Sequence, residues 1–117
     1  MRAVRIQDYE ARLSIADVGM PVPGDGEVLV RIHAAALNPL DVKLQRGFMQ
    51  AFFPLRFPYT LGTDFSGVVE QVGANVPIWR PGDAVIGRTD PTAGGALADH
   101  VVVSASQHIN HRLGVMD

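Results

Sequence analysis

The sequence predicts a mainly β fold, a partly open barrel of short strands with one or two short helices. Three observations point there. Glycine (12) and proline (8) interrupt the 117 residues so often that long helices have no room. Period-two alternation of apolar and polar side chains runs through the strongest intervening segment. One stretch alone, residues 38–47, carries both the start and the stop chemistry of a helix.

In chain order, residues 2–7 and 12–17 read as two short strands parted by Asp8-Tyr9-Glu10, and Pro21–Gly26 reads as a loop. EVLVRIHAAALN (27–38) is the best strand, with Val28, Val30, Ile32 and Ala34 on one face and Arg31 and His33 on the other. In NPLDVKLQRG (38–47), Asn38 suits an N-cap, Pro39 the first helical position and Asp41 the first turn, while Gly47 stops the helix. Residues 48–60 are aromatic and proline-broken, which suggests a loop packed on the core. Residues 63–73 form a long strand, Arg80–Asp83 a turn, 84–87 a strand, 89–95 a loop and 96–103 a further strand. Residues 106–117 carry little periodicity and predict a loose tail or a single helical turn. The expected division is a barrel domain over 1–107 and a divergent tail over 108–117.

Composition excludes several classes of function. Hydrophobic residues at 47% and charged residues at 19% fit one folded domain. The net charge of −2 and the scattered arginines give no footprint for nucleic acid. No segment approaches the roughly 18 apolar residues of a membrane span. The absence of cysteine removes disulfides, thiolate nucleophiles, iron–sulfur clusters and cysteine zinc sites. MRAVRIQDYE lacks the apolar core of a signal peptide, so a soluble, cytoplasmic protein is expected.

Candidate chemistry is sparse. In LGTDFSGVVEQVG (61–73), Asp64 reads as a metal ligand, a proton-transfer group or a strand-end carboxylate. His108 and His111 are three apart and would share a helix face, but two imidazoles without an acid make a weak metal signal; His33 and His100 read as surface or rim residues. Phe48, Phe52, Phe53 and Phe57 read as core or domain-interface packing.

Four motifs in order carry a resemblance: VLVRIHAAALNPLDVKLQRG, FPYTLGTDFSGVVEQVG, RPGDAVIG and GGALADHVVV. Together they resemble the N-terminal, GroES-like domain of the medium-chain dehydrogenases/reductases, over residues 1–106. The zinc-binding Cys-Gly-x-Asp-x-His of that superfamily corresponds to Asn38-Pro39-Leu40-Asp41-Val42-Lys43, and its Gly-His-Glu to Gly62-Thr63-Asp64. Amide, ammonium and hydroxyl groups stand where zinc ligands would be, so the resemblance implies no metal. It implies instead the zinc-independent, zeta-crystallin-like quinone oxidoreductase branch, which transfers hydride from NADPH to quinones or enones. Such substrates are electrophilic enough for hydrogen bonds to stabilise the developing enolate.

The site residues implied are Asn38, as a polar contact to nicotinamide or substrate, with Lys43, Thr63 and Tyr59 as lesser candidates. A helix cap explains Asn38 equally well, and an exposed helix position explains Lys43. Asp64 is then structural, at the mouth of a strand, with Thr63 facing the cleft. The coenzyme-binding Rossmann half of the family has no counterpart: Gly24-Asp25-Gly26 precedes a strand rather than a helix. A fragment, a truncated frame or a stand-alone descendant all fit, no cofactor is expected for the chain by itself, and inactivity alone is expected. The face that normally meets the Rossmann domain predicts self-association or a partner chain. A non-catalytic binding or oligomerisation module on the same barrel is the alternative. A co-chaperonin is disfavoured, because TDPTAGGAL is the nearest counterpart of a mobile loop and matches the reductase pattern better.

Overall fold

The computed structural model describes residues 1–106 and 108–111. Eight strands and one helix follow in the order β1 (Arg2–Ile6), β2 (Ser14–Asp17), β3 (Glu27–Ala36), α1 (Pro39–Gln45), β4 (Tyr59–Thr60), β5 (Asp64–Val72), β6 (Ala84–Arg88), β7 (His100–Ser104) and β8 (Ile109–His111). They form a three-stranded sheet, β2-β1-β4, and a five-stranded sheet, β7-β3-β5-β6-β8, with every pairing antiparallel. The fold is the expected mainly β, partly open barrel.

Residues 95–99 join the two sheets. Val4 N–H donates to the Leu97 carbonyl at 2.9 Å on one side, and Ile32 N–H donates to the Asp99 carbonyl at 2.9 Å on the other. Gly62 makes this seam possible. Its φ of +97° is open to glycine, and a Cβ there would lie 2.7 Å from the Leu97 nitrogen.

Two cores result. The larger packs Val28, Val30, Phe65, Val69, Trp79, Val85, Val101, Val103 and Ile109 inside the curled five-stranded sheet. The smaller packs Ile6, Leu44, Leu55, Tyr59 and Leu61 beneath α1 and the segment that follows it. Complete burial of a valine, isoleucine or leucine contributes about 1.5–3 kcal/mol. The 48–60 segment thus docks on the fold, as its aromatic content suggests, through the buried Leu55 and the partly buried Met49, Phe53 and Phe57. Phe48 and Phe52 remain exposed.

Tyr59–Thr60, at the end of the expected 48–60 loop, form strand β4 against Arg5–Ile6 of β1. Three further details differ from the sequence reading. The face expected in β3 holds to Ile32, and then register shifts past His33, so that Ile32 pairs with Gly67 and Ala34 with Ser66. This bulge turns Ala35, rather than Ala34, toward the core. The strand expected over 96–103 is shorter, because residues 96–99 are spent on the seam between sheets. The third correction concerns the expected tail: Ile109–His111 are strand β8, paired with Val85–Gly87, and Ile109 is buried in the larger core. One apolar side chain and an open edge of β6 decide that strand. A helical face shared by His108 and His111 is excluded with it. Residue 107 and residues 112–117 of the expected tail lie outside the described residues.

Candidate functional site

Three element ends converge around Asp64. β3 ends at Ala36, which pairs with Asp64 at the start of β5, and Asp64 in turn pairs with Arg88 at the end of β6. From Ala36 the chain runs through Leu37 to Asn38, whose extended backbone (φ −107°, ψ 166°) leads into α1. Pro39 opens the helix without a missing hydrogen bond, because a first-turn N–H has no helical acceptor anyway.

Asp41 fixes that turn. Its Oδ2 accepts the Asn38 backbone N–H at 2.7 Å, and its Oδ1 accepts the Thr63 hydroxyl at 3.4 Å. Only 2% of Asp41 is exposed. A buried carboxylate is tolerated there because donors and the positive end of the helix face it.

The Asn38 side chain turns to Asp64: Nδ2 donates to Asp64 Oδ2 at 2.5 Å. The other carboxylate oxygen, Oδ1, accepts from Arg88 Nε at 3.0 Å. Asp64 therefore sits between an amide and a guanidinium. It also lines two depressions, one of about 240 Å³ with Ala34, Ala35, Ala36 and Phe65, the other of about 420 Å³ with Ile86, Arg88, His108 and Asn110. A further depression of about 400 Å³, lined by Arg2, Ile15, His33 and Asp99, reaches this region only through Ala34 and Ala35.

Of the residues singled out in the sequence, Asn38 and Asp64 take part in this cluster directly, Asp64 as the strand-end carboxylate. Thr63, expected to face a cleft, is instead buried, with its hydroxyl on Asp41 and its carbonyl accepting the Thr89 N–H at 2.7 Å. Tyr59, expected to line a pocket, lies in the smaller core and donates its hydroxyl to the Pro91 carbonyl at 2.8 Å. Burial, followed by the carboxylates of Asp41 and Asp90, pushes its phenol well above the ordinary value, so it is neutral in the folded protein. Lys43 is exposed on α1. Two participants were missed, Arg88 entirely and Asp64 in its bridging role. Only the cross-strand register of β5 and β6 reveals that pair, and no local sequence signal encodes it.

Among the described residues no three His, Cys, Asp or Glu side chains converge as a metal site, and no helix is long and apolar enough to cross a membrane. The pattern of the alcohol dehydrogenase GroES-like domain matches residues 24–112. Over 107 residues the chain is 41% identical to a chloroplastic quinone oxidoreductase of Triphysaria versicolor, covering 89% of this chain and 32% of that protein. Over 98 residues it is 36% identical to a human mitochondrial NAD(P)H oxidoreductase, covering 74% of this chain and 24% of that one. An alcohol dehydrogenase superfamily protein from Novosphingobium aromaticivorans superposes with a TM-score of 0.89 at 30% identity, over 100% of this chain and 36% of its own. The chain thus spans about a third or less of the length of the relatives it matches. On this match of pattern, sequence and shape, the chain belongs to the family of alcohol dehydrogenase GroES-like domains.

Proposed function

We propose that the chain is the substrate-side domain of a zinc-independent, NADPH-dependent reductase of quinones or enones, completed by a coenzyme-binding half held elsewhere. The observation that carries this reading is the Asn38 amide at the meeting point of β3, β5 and β6, with one N–H committed to Asp64. An amide nitrogen has two donors, so a second N–H remains for a ligand oxygen. A donor fixed in advance stabilises negative charge as it develops on a quinone or enone oxygen, and a neutral amide does so without acting as a base. Leu37, next to Asn38, and Val42, one helical turn beyond it, are exposed and offer apolar surface to a flat ring. Lys43 adds an exposed positive charge on the same helix.

The donor set supports a metal-free reaction. Asn38, Lys43 and Thr63 supply an amide, an ammonium and a buried hydroxyl, none of which suits zinc. A bound nicotinamide coenzyme would supply the hydride. The described residues include no glycine-rich turn between a strand and a helix for its phosphates: α1 follows Asn38-Pro39, and Gly24–Gly26 precede β3. Asn38 is the contact we assign to this domain at the nicotinamide end. Tyr59 and Thr63 contribute through packing, since burial keeps both from a ligand.

The test is a chimera in which residues 1–111 replace the matching segment of the Triphysaria quinone oxidoreductase. It should reduce an ortho-quinone with NADPH, and Asn38→Ala should lower kcat about 100-fold, the scale of one lost oxyanion donor. The 117-residue chain by itself should give no calorimetric signal with NADPH. A chimera that turns over equally well with Asn38→Ala would overturn the assignment.

A further inference from the structure

We infer that Arg88 is a positioning residue: through Asp64 it fixes which way the Asn38 amide faces. The connection runs across three elements, from Arg88 Nε to Asp64 Oδ1 at 3.0 Å and from Asp64 Oδ2 to Asn38 Nδ2 at 2.5 Å. Each carboxylate oxygen thus has its own partner, on opposite sides of β5. A carboxylate held at one oxygen still swings about its terminal torsion, which is broad and roughly two-fold. Held at both, its plane is set. An ionised carboxylate only accepts, so it selects the NH₂ end of Asn38 and disfavours the flipped amide, whose oxygen would face it.

Folding energy does not explain this pair. The side chains of Arg88 and Asp64 are 75% and 37% exposed, and ion pairs so open to water contribute little stability. What the pair does have is a defined direction. Arg88 is the cross-strand partner of Asp64, and its backbone N–H donates to the His108 carbonyl at 3.0 Å, just before β8. The arginine therefore stands on a strand end supported from both sides. Asp64 in turn pairs with Ala36, two residues before the amide it holds.

The functional consequence rests on Asn38 being the ligand-contacting amide, but the geometric claim does not. It is tested without turnover, by following the Asn38 side-chain NH₂ signals in the ¹⁵N-labelled 117-residue chain. One of the two protons should be shifted downfield and protected from solvent exchange. Asp64→Ala should abolish both properties. Arg88→Met should also lose the shift and speed the exchange, while the backbone amide spectrum away from residue 88 stays in place. If Arg88→Met leaves the Asn38 signals as they were, the positioning role is overturned, whether or not Asp64→Ala moves them. A failed chimera would count against the reductase reading and leave this result standing.

Discussion

Tyr59 shows how one buried hydroxyl binds a loop to a core. Its phenol donates to the Pro91 carbonyl, and burial together with Asp41 and Asp90 raises its pKa. The folded state favours the protonated form, so this contribution is fully present below the unfolded phenol's value of about 10 and is lost as pH rises above it. Thermal unfolding should therefore become easier above about pH 10. Tyr59→Phe should remove most of that alkaline loss, at a cost near neutrality of about 1 kcal/mol for the missing hydrogen bond. Melting curves for the two proteins that fall in parallel above pH 10 would refute the assignment to Tyr59. The same scale separates what is readable from what is not. Asn38, Pro39 and Asp41 announce a helix start because capping is local, within four residues. The burial of Tyr59 and Thr63 is not local, since it depends on β1, α1 and the 89–95 segment closing over them.

At the scale of elements, packing and charge contribute unequally. α1 is seven residues long, too short to persist alone, and is held by Leu44, which is buried in the smaller core. Leu44→Ala keeps helix propensity nearly unchanged and should cost about 2–5 kcal/mol of unfolding free energy in a denaturant titration. The charged cluster on the larger sheet contrasts with it. Register shifts past Glu70 in β5, and His100 Nε2 lies 2.9 Å from Glu70 Oε2, with Arg31 Nε 3.9 Å from the same carboxylate. The histidine contact has the distance of an ion pair without hydrogen-bond geometry, and both ring nitrogens lack a hydrogen-bond partner among the described residues. A buried polar ring with unmet donors and acceptors gives little net stability. His100→Leu should leave stability within about 0.5 kcal/mol or raise it, whereas a loss above about 2 kcal/mol would mean that the Glu70 contact is strongly favourable.

For the molecule as a whole, the open question is what covers its exposed apolar side chains. Phe48 and Phe52, just beyond α1, are 67% and 76% exposed, and Leu37 before the helix and Val42 within it are exposed as well. In keeping with the proposed second half, these residues should mediate association when the 117-residue chain is studied alone. Sedimentation velocity over a concentration series should show reversible self-association, weakened by the double change Phe48→Asp, Phe52→Asp. A protein that stays monomeric across the series would contradict this expectation.

The sequence by itself determined the β-rich fold class, the approximate place of six of the eight strands and the helix, and the family, because punctuation, period-two patterning and caps are written into short stretches of chain. It also determined that no cysteine chemistry is open to the described fold. The tertiary structure decided the rest. Two register shifts in β3–β5 set which side chains face the core, and the edge of β6 recruited Ile109–His111 into a strand. Above all, it set Asn38, Asp64 and Arg88 in one line of contacts although they are 26 and 24 residues apart. Local propensities cannot specify such a line, because it exists only once antiparallel strands have chosen their register.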